Sequence, residues 1–506
     1  MSIKSRCLLG IDIGTSGLKV VLIDPSGRAL GHAAREYVPN IPQPGWAEQD
    51  PETWVQATLD AVREAVDRSG VDRDSIAGIG FSGQMHSTFF LDKTWHSLRP
   101  AILWLDHRSV KQVADLRDRV GLAQLAEWIG NPIMPGFMLS SLLWLKENDP
   151  VIWEHLDQVC LAKDYVRYRL TGELGTDYSD ASSTALLDVK QRAWCSDLLS
   201  ATDIPAEFLP PLYESSAPVG QLVPQLADVM NLRAGIPVMC GAGDQEAQAI
   251  GNGLIRPGLI SCTIGTGGQL FTPIDHYRVD RKLRLHTFCH AVPGLWHWEA
   301  ATLSAGLSLR WLRDKVLAGR YSYQEMADAA ETIEAGAEGL LYLPYLAGER
   351  TPHMDPAAKG VFCGLTLRHT WKHMTRAVME GVVFSLRDGL ELMQAMGLKV
   401  EKIVASGGGA KHPLWLQLLA DILGIEIIQS ETEEAAALGA ALLAGIGAGL
   451  YADFDGACQQ AVRYSDQAYQ PRAAVSEQYR SQAEVFRQLY PCLSPIFGDL
   501  FKRTQS

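Results

Sequence analysis

The strongest constraint on this chain is a motif written twice. Near the N-terminus, Leu8-Leu9-Gly10-Ile11-Asp12-Ile13-Gly14-Thr15-Ser16-Gly17-Leu18-Lys19-Val20-Val21-Leu22-Ile23-Asp24 sets two apolar runs around a centre of one carboxylate, two glycines and two hydroxyls. That pattern reads as a β-hairpin whose turn offers backbone N–H groups and Asp12 to an anion. Gly14 and Gly17 let backbone approach phosphate oxygens, Thr15 and Ser16 add hydroxyl donors, and Asp12 is a hard oxygen ligand suited to Mg²⁺. An ordinary hairpin would carry the same residues. Roughly half the chain later, Leu259-Ile260-Ser261-Cys262-Thr263-Ile264-Gly265-Thr266-Gly267-Gly268-Gln269-Leu270-Phe271 repeats the apolar run, the Gly-Thr-Gly turn and the second run. Either two glycine-rich hairpins coincide by chance, or the chain is internally duplicated, with two domains and a site between them.

Length favours the second reading, since 506 residues hold at least two domains with substantial cores. A formal charge of −13 argues against nucleic acid or an anionic membrane surface as a main partner, because both demand clustered positive charge. An anionic substrate would need local help from Mg²⁺ and backbone amides. Met1 to Arg6 runs directly into the first strand, leaving no room for a cleavable leader, and no apolar run approaches a membrane span. The nine cysteines are scattered without C-x-x-C spacing and read as reduced core residues of a cytoplasmic protein.

Between the two motifs, polar groups leave apolar segments at a few places. The loop Ile41 to Asp50 holds Trp46 beside Pro44 and Gly45, either a connector or the wall of a sugar pocket. Pro51 to Arg68 has helical periodicity with Pro at its first turn. Ile76 to Phe81 is a strand that runs into Ser82-Gly83-Gln84-Met85-His86. In extended backbone Gln84 and His86 project to the same side, where both could reach ligand hydroxyls; a structural histidine is the alternative. Asp106, in Leu103-Trp104-Leu105-Asp106-His107-Arg108, reads equally as a ligand contact or as half of an ion pair at a strand end.

Further on, Ile236 to Gly243 is a short strand ending in Gly-x-Gly, followed by Asp244 and an Ala-rich helix. Asp244 is either a helix cap or a general base that a small substrate can approach. Leu340 to Leu346 reads as a strand, Arg376 to Met396 as a long amphipathic helix, and Lys402 to Ser406 as a strand ending in Gly407-Gly408-Gly409-Ala410, where consecutive glycines can lie flat against adenine. Helices are expected at Pro413 to Leu423, from Glu433 onward, and at Ser476 to Phe501.

These motifs, in this order, resemble the FGGY carbohydrate kinases, and most the xylulokinase branch, from about Leu8 to about Tyr451. Gly45-Trp46-Ala47-Glu48-Gln49-Asp50-Pro51, Ser82-Gly83-Gln84-Met85-His86, Lys163-Asp164-Tyr165, Thr176-Asp177-Tyr178-Ser179-Asp180-Ala181-Ser182 and Gly348-Glu349-Arg350-Thr351-Pro352-His353 carry the likeness. The resemblance implies an α/β fold of two actin-like (ribonuclease H-like) domains with an interdomain cleft. Residues 1–253 would form the sugar-binding side and residues 254–506 the nucleotide-binding side.

It further implies transfer of the γ-phosphate of ATP to a ketopentose, D-xylulose first, with ATP and Mg²⁺ as cofactors. Asp12 would hold the metal, Gly14, Thr15, Ser16, Gly265, Thr266 and Gly267 the phosphates, and Gly407 to Ala410 the adenosine. Gln84, Met85, His86, Asp106 and Gln245 would contact sugar, and Asp244 would be the base. Sugar and ATP are then the partners, without nucleic acid or membrane; a homodimer is compatible with the likeness. Two departures bear on the sugar: Asp244-Gln245 looks like the pair in glycerol kinases, and Leu105 replaces the Asn of the usual Trp-Asn-Asp run. Another ketose or a polyol is therefore the first alternative, and a catalytically silent actin-like sugar-binding regulator the second.

Overall fold

The computed structural model describes residues 6–505; residues 1–5, on which the reading of the N-terminal leader depends, lie outside the described residues. Strand β1 (Cys7–Ile13) turns back into β2 (Gly17–Ile23), and β3 (Ala29–Glu36) continues the antiparallel meander. Helix α1 (Pro51–Ser69) begins where the Asp50 carboxylate accepts the Glu52 N–H at 3.0 Å and ends at Gly70, whose φ of 65° few other residues adopt. The chain then enters β4 (Ile76–Gly83), parallel to β1. After helix α2 (Ala162–Thr171), strands β5 (Pro218–Gln221), β6 (Pro237–Met239) and β7 (Ala242–Gly243) complete a sheet of order β5-β6-β4-β1-β2-β3, with β7 also paired to β4. Helix α3 (Asp244–Gly251) follows β7 directly.

The second sheet contains β8 (Leu259–Ile264), β9 (Gly268–Ile274), β10 (His286–Cys289), β11 (Trp296–Thr302), β12 (Lys402–Ser406), β13 (Ile427–Ser430) and β14 (Tyr464–Tyr469), in the order β10-β11-β9-β8-β12-β13-β14. Its pairing repeats that of the first. In both, three antiparallel strands are followed by two parallel ones, β3-β2-β1-β4-β6 and β11-β9-β8-β12-β13. The duplication expected from two similar turns therefore extends to whole sheets. Helices α4 (Trp371–Ala395), α5 (Pro413–Leu423), α6 (Ala435–Gly447) and α7 (Ala473–Gln505) occupy the expected stretches. The strand expected over Leu340–Leu346 is only Leu341–Leu343, in a ribbon with Val361–Cys363 outside both sheets; Pro344, with no N–H to donate, follows its last residue.

Seven cysteines are buried, Cys363 is half-buried and Cys492 exposed, with no disulfide between them. No helix among the described residues is long and apolar enough to cross a membrane.

Helix α6 comes from the second half of the sequence yet packs on the first sheet and on α3. The packing unit around that sheet thus draws residues from both sides of position 253. Only bare backbone fits there: an added Cβ would lie 2.0 Å from the Ala437 carbonyl oxygen at Gly10 and 1.9 Å from that of Ala440 at Gly80. At Gly439 it would lie 1.8 Å from the Ala247 oxygen, and at Gly251 1.9 Å from the Ala435 oxygen. Forcing a methyl into such a seam costs about 1–3 kcal/mol. Gly80→Ala should lower the thermal unfolding midpoint clearly. Gly498→Ala, at an open position of α7, should leave it unchanged or raise it, since Ala is favoured over Gly in a helix by up to about 1 kcal/mol. Equal midpoints for the two variants would remove the seam from the stability account.

Candidate active site

Three parallel strand ends of the first sheet meet side by side. Asp12 of β1 pairs with Ser82 of β4, which pairs with Ala242 of β7; one residue on, Ile13, Gly83 and Gly243 are likewise aligned. Asp12 and Asp244 thus emerge at the same edge, on either side of β4. The Ser82 hydroxyl donates to Asp12 Oδ1 at 2.7 Å, fixing one oxygen of that carboxylate. Asp244 is the first residue of α3, one past the cap position that Gly243 takes.

Burial is the main reason the Asp244 carboxyl is pushed up to about 7; the charges of Asp12 and Glu299 add to it, and hydrogen bonds from the Gln245 backbone and side chain oppose it. Asp12 is also raised, chiefly by burial. Gln245, expected at the sugar, thus acts on Asp244 as well. It also lines a narrow polar gap with Gln248, Ser261, Thr263, Gln269 and Phe271, between α3 and the second sheet.

The second sheet presents the matching edge. Thr263 pairs with Ser406 as Asp12 pairs with Ser82, and their hydroxyls lie 2.9 Å apart. Asp12-Ile13-Gly14-Thr15 and Thr263-Ile264-Gly265-Thr266 are thus equivalent, with the carboxylate present in the first copy alone. Both turns are closed by a backbone bond of 2.9 Å, Gly14 N to Gly17 O and Gly265 N to Gly267 O. Gly265 and Thr266 are exposed, as are Gly407 and Gly408 beside them at the end of β12. The glycine run serves packing as well as exposure: at Gly407 an added Cβ would lie 2.8 Å from the Ile264 oxygen and at Gly409 2.6 Å from its side chain, whereas Gly408 is open and Ala410 is buried.

His86, expected to contact sugar, is not in extended backbone. Its φ is 69°, so Gln84 and His86 do not project together as two residues of one strand would. The His86 ring stacks on Phe137, with centroids 3.9 Å apart, and Nδ1 sits 2.7 Å from the Ser183 carbonyl oxygen. A carbonyl only accepts, so Nδ1 carries the hydrogen and Nε2 is left as an acceptor for a ligand hydroxyl. Burial lowers the imidazole to about 3, keeping it neutral. Met85 packs against Gly243, the residue before Asp244: a Cβ there would lie 3.0 Å from its Cγ.

Thr15 and Gln84 serve each other. Trp104 Nε1 donates to Thr15 Oγ1 at 2.9 Å, and Thr15 donates to Gln84 Oε1 at 3.1 Å, which also accepts from Ser87. The Gln84 oxygen is thereby committed to holding the first turn. Asp106 is fully buried, accepts the Ala47 N–H at 2.6 Å and chelates the Arg108 guanidinium, so it forms half of an ion pair that shapes the loop. Arg108 in turn lies 3.6 Å over the Trp46 ring, which closes that tryptophan into the same cluster.

Sequence reasoning missed Glu299 and Arg350. Glu299 ends the Trp296-His297-Trp298-Glu299 run of β11, where polar residues alternate with indoles, a pattern that could have marked it. Burial raises its carboxyl, while a Gln269 hydrogen bond and the Arg350 charge oppose the rise. Arg350 also acts on His86 across the halves. Also missed was the contact of Glu246 with His297, 3.6 Å apart and fully buried, where desolvation raises the acid, lowers the imidazole and favours the neutral form of both.

Among the described residues no group of three or more His, Cys, Asp or Glu side chains is arranged to hold a metal. The two strand-end carboxylates fit an Mg²⁺ that keeps its waters and substrate phosphates as its other ligands.

If Asp244 is the general base, kcat/KM for the acceptor should climb and level off as the pH rises through about 7, because only the ionised carboxylate takes a proton. Glu299→Gln removes a like charge, favours the ionised form, and should shift that limb to lower pH. A pH–rate profile that does not move in E299Q would separate Glu299 from the base.

Comparisons with known proteins place the whole chain. The model of the N-terminal domain of the FGGY family of carbohydrate kinases matches residues 7–251, and that of the C-terminal domain matches residues 260–448. The xylulose kinase of Bacillus subtilis (strain 168) is 37% identical over 96% of this chain and 97% of its own length. That of Escherichia coli (strain K12) is 38% identical over 97% of this chain and 100% of its own. The crystal structure of a xyloylose kinase from Brucella ovis superposes with a TM-score of 0.91 at 36% identity, covering 97% of this chain and 100% of that one.

Proposed function

The chain belongs to the FGGY family of carbohydrate kinases, and on that premise we propose that it transfers the γ-phosphoryl group of ATP to D-xylulose, giving ADP and D-xylulose 5-phosphate. The observation that carries this reading is the pair of carboxylates, Asp12 and Asp244, at the same edge of one sheet on either side of β4, together with a second sheet that repeats the glycine turn at its equivalent edge.

In phosphoryl transfer the protein chiefly aligns donor and acceptor and stabilises charge on the group in flight. Asp244 takes the proton of the sugar hydroxyl as its oxygen forms the new bond to the γ-phosphorus and the bond to the ADP oxygen breaks. The raised pKa of Asp244 makes it a better acceptor for that proton than an exposed aspartate. Met85 and His86 hold the sugar, with Nε2 of His86 accepting a hydroxyl. The exposed turn at Gly265 and Thr266 and the turn at Gly14 to Ser16 face the phosphates, and Gly407 and Gly408 border the adenosine. Asp12, with Asp244 nearby, is suited to an Mg²⁺ that supplies Lewis-acid neutralisation of the phosphate oxygens.

The sugar is tested by ADP release across ketoses and polyols. D-Xylulose should give the highest kcat/KM; a polyol or another ketose in that place would transfer the activity to the branch that Gln245 and Leu105 leave open. The base is tested by Asp244→Asn, which keeps shape and hydrogen bonding but cannot accept a proton. Loss of general-base assistance should cost about 10² to 10⁴ in kcat, with ATP and sugar binding within a few fold. An Asp244→Asn enzyme that keeps more than about a tenth of wild-type kcat is incompatible with that role. Asp12→Ala should abolish turnover with every sugar while calorimetric sugar binding is preserved.

A further inference from the structure

Directly beneath the strand ends that carry Asp244 and His86 lies a buried charged cluster that the phosphoryl-transfer chemistry does not use. Lys163, the second residue of α2, is wholly buried, and its Cβ comes so close to β4 that a Cβ at Gly83 would lie 2.8 Å from it. Its ammonium meets three carboxylates: Asp164 Oδ1 at 2.7 Å, Asp177 Oδ1 at 3.0 Å and Asp180 Oδ2 at 3.2 Å. All four side chains are fully buried, where an unpaired charge is costly, so each holds the others in place.

Two branches leave this ammonium. Asp177 Oδ2 accepts the Ser179 hydroxyl at 2.5 Å and the Ser215 hydroxyl at 2.7 Å, and Ser179 Oγ accepts the backbone N–H of Gly243 at 3.2 Å. Gly243 immediately precedes Asp244. Arg167 reinforces this side, bonding both Asp164 Oδ1 at 3.1 Å and the carbonyl of Cys240, three residues before Gly243, at 2.7 Å. In the other branch, Ser183 Oγ donates to the Asp180 carbonyl at 2.7 Å and lies 3.3 Å from Asp180 Oδ1. Ser183 then takes His86 at two points, its hydroxyl 3.3 Å from the His86 backbone N and its carbonyl 2.7 Å from Nδ1.

We propose that Lys163 is a positioning residue that sets the strand end bearing Asp244 through Asp177 and Ser179, and the sugar-facing tautomer and place of His86 through Asp180 and Ser183. One buried charge would then fix the distance between the proton acceptor and the sugar it serves. The proposal rests on the kinase reading given above for Asp244 and His86.

The branches predict different kinetics, because an interaction felt only in the transition state appears in kcat and one that holds the ground-state sugar appears in KM. Asp177→Asn should lower kcat about tenfold or more with the sugar KM within a few fold, as misplacing a reacting group by a fraction of an ångström does. Asp180→Asn should raise the sugar KM at least about fivefold with a smaller change in kcat. The KM for ATP, bound against the other sheet, should stay within about twofold in both.

Ser179→Ala leaves every charge in place, removes only the hydroxyl between Asp177 and Gly243, and should follow Asp177→Asn in direction. Should the buried aspartate variants fail to fold, Ser179→Ala decides alone. Wild-type kcat in Ser179→Ala, or kcat and KM moving by the same factor in both aspartate variants, overturns the proposal. A wild-type enzyme that turns over no sugar would instead sink the kinase reading. Calorimetric sugar binding, weakened by Asp180→Asn and unchanged by Asp177→Asn, would still report on the branches.

Discussion

The approach of α6 to the first sheet, backbone against backbone, is the contact on which the rest of the molecule depends. Gly10 and Gly80 on the sheet, Gly439 on α6 and Gly251 on α3 leave no room for a single methyl group. Residues from beyond β13 are thereby locked onto the strands that carry Asp12 and onto the helix that begins with Asp244. Since α3 also leads to β8, the same packing sets where the second glycine turn stands relative to the two carboxylates. Alanines line the rest of the seam, because a close approach buries much backbone and little side chain.

Electrostatics at the cleft follow from this crowding. A chain of charge −13 that handles phosphates might be expected to surround them with cations, but the strand ends bring together Asp12, Asp244 and Glu299. Desolvation and mutual repulsion make these carboxyls more basic, which is useful in a proton acceptor and unhelpful for binding an anion. The compensation on the protein side is local, from the Arg350 charge acting on Glu299. His86 is treated in the opposite way, kept neutral by burial.

Comparing the two copies of the hairpin shows how a duplicated fold acquires unlike halves. Asp12 bonded to Ser82 and Thr263 beside Ser406 stand at the same point of the same topology. One exchange, carboxylate for hydroxyl, gives the first edge a charged oxygen ligand and leaves the second edge neutral. Lys163-Asp164 entered the sequence reading only as part of a family-like stretch, and its buried charge cluster appears once α2 is placed beneath β4.

What the sequence by itself determined is everything that depends on near neighbours in the chain. Alternating apolar runs around glycine turns specified both hairpins, proline marked the start of α1, and the strand over Lys402–Ser406 and the helix over Pro413–Leu423 were legible to the residue. Asp12 and Asp244 stood out as candidates because each is a carboxylate at the end of an apolar run. Tertiary structure alone decided the rest. The positive φ of His86 turned it away from Gln84, Asp106 paired with Arg108 in the interior, and the capture of Thr15 by Trp104 and Gln84 joined residues 69 and 89 positions apart. Glu299, Arg350 and Lys163 gained their roles only when remote strands brought charges together in a dry interior, where the interaction of each depends on what else is buried beside it.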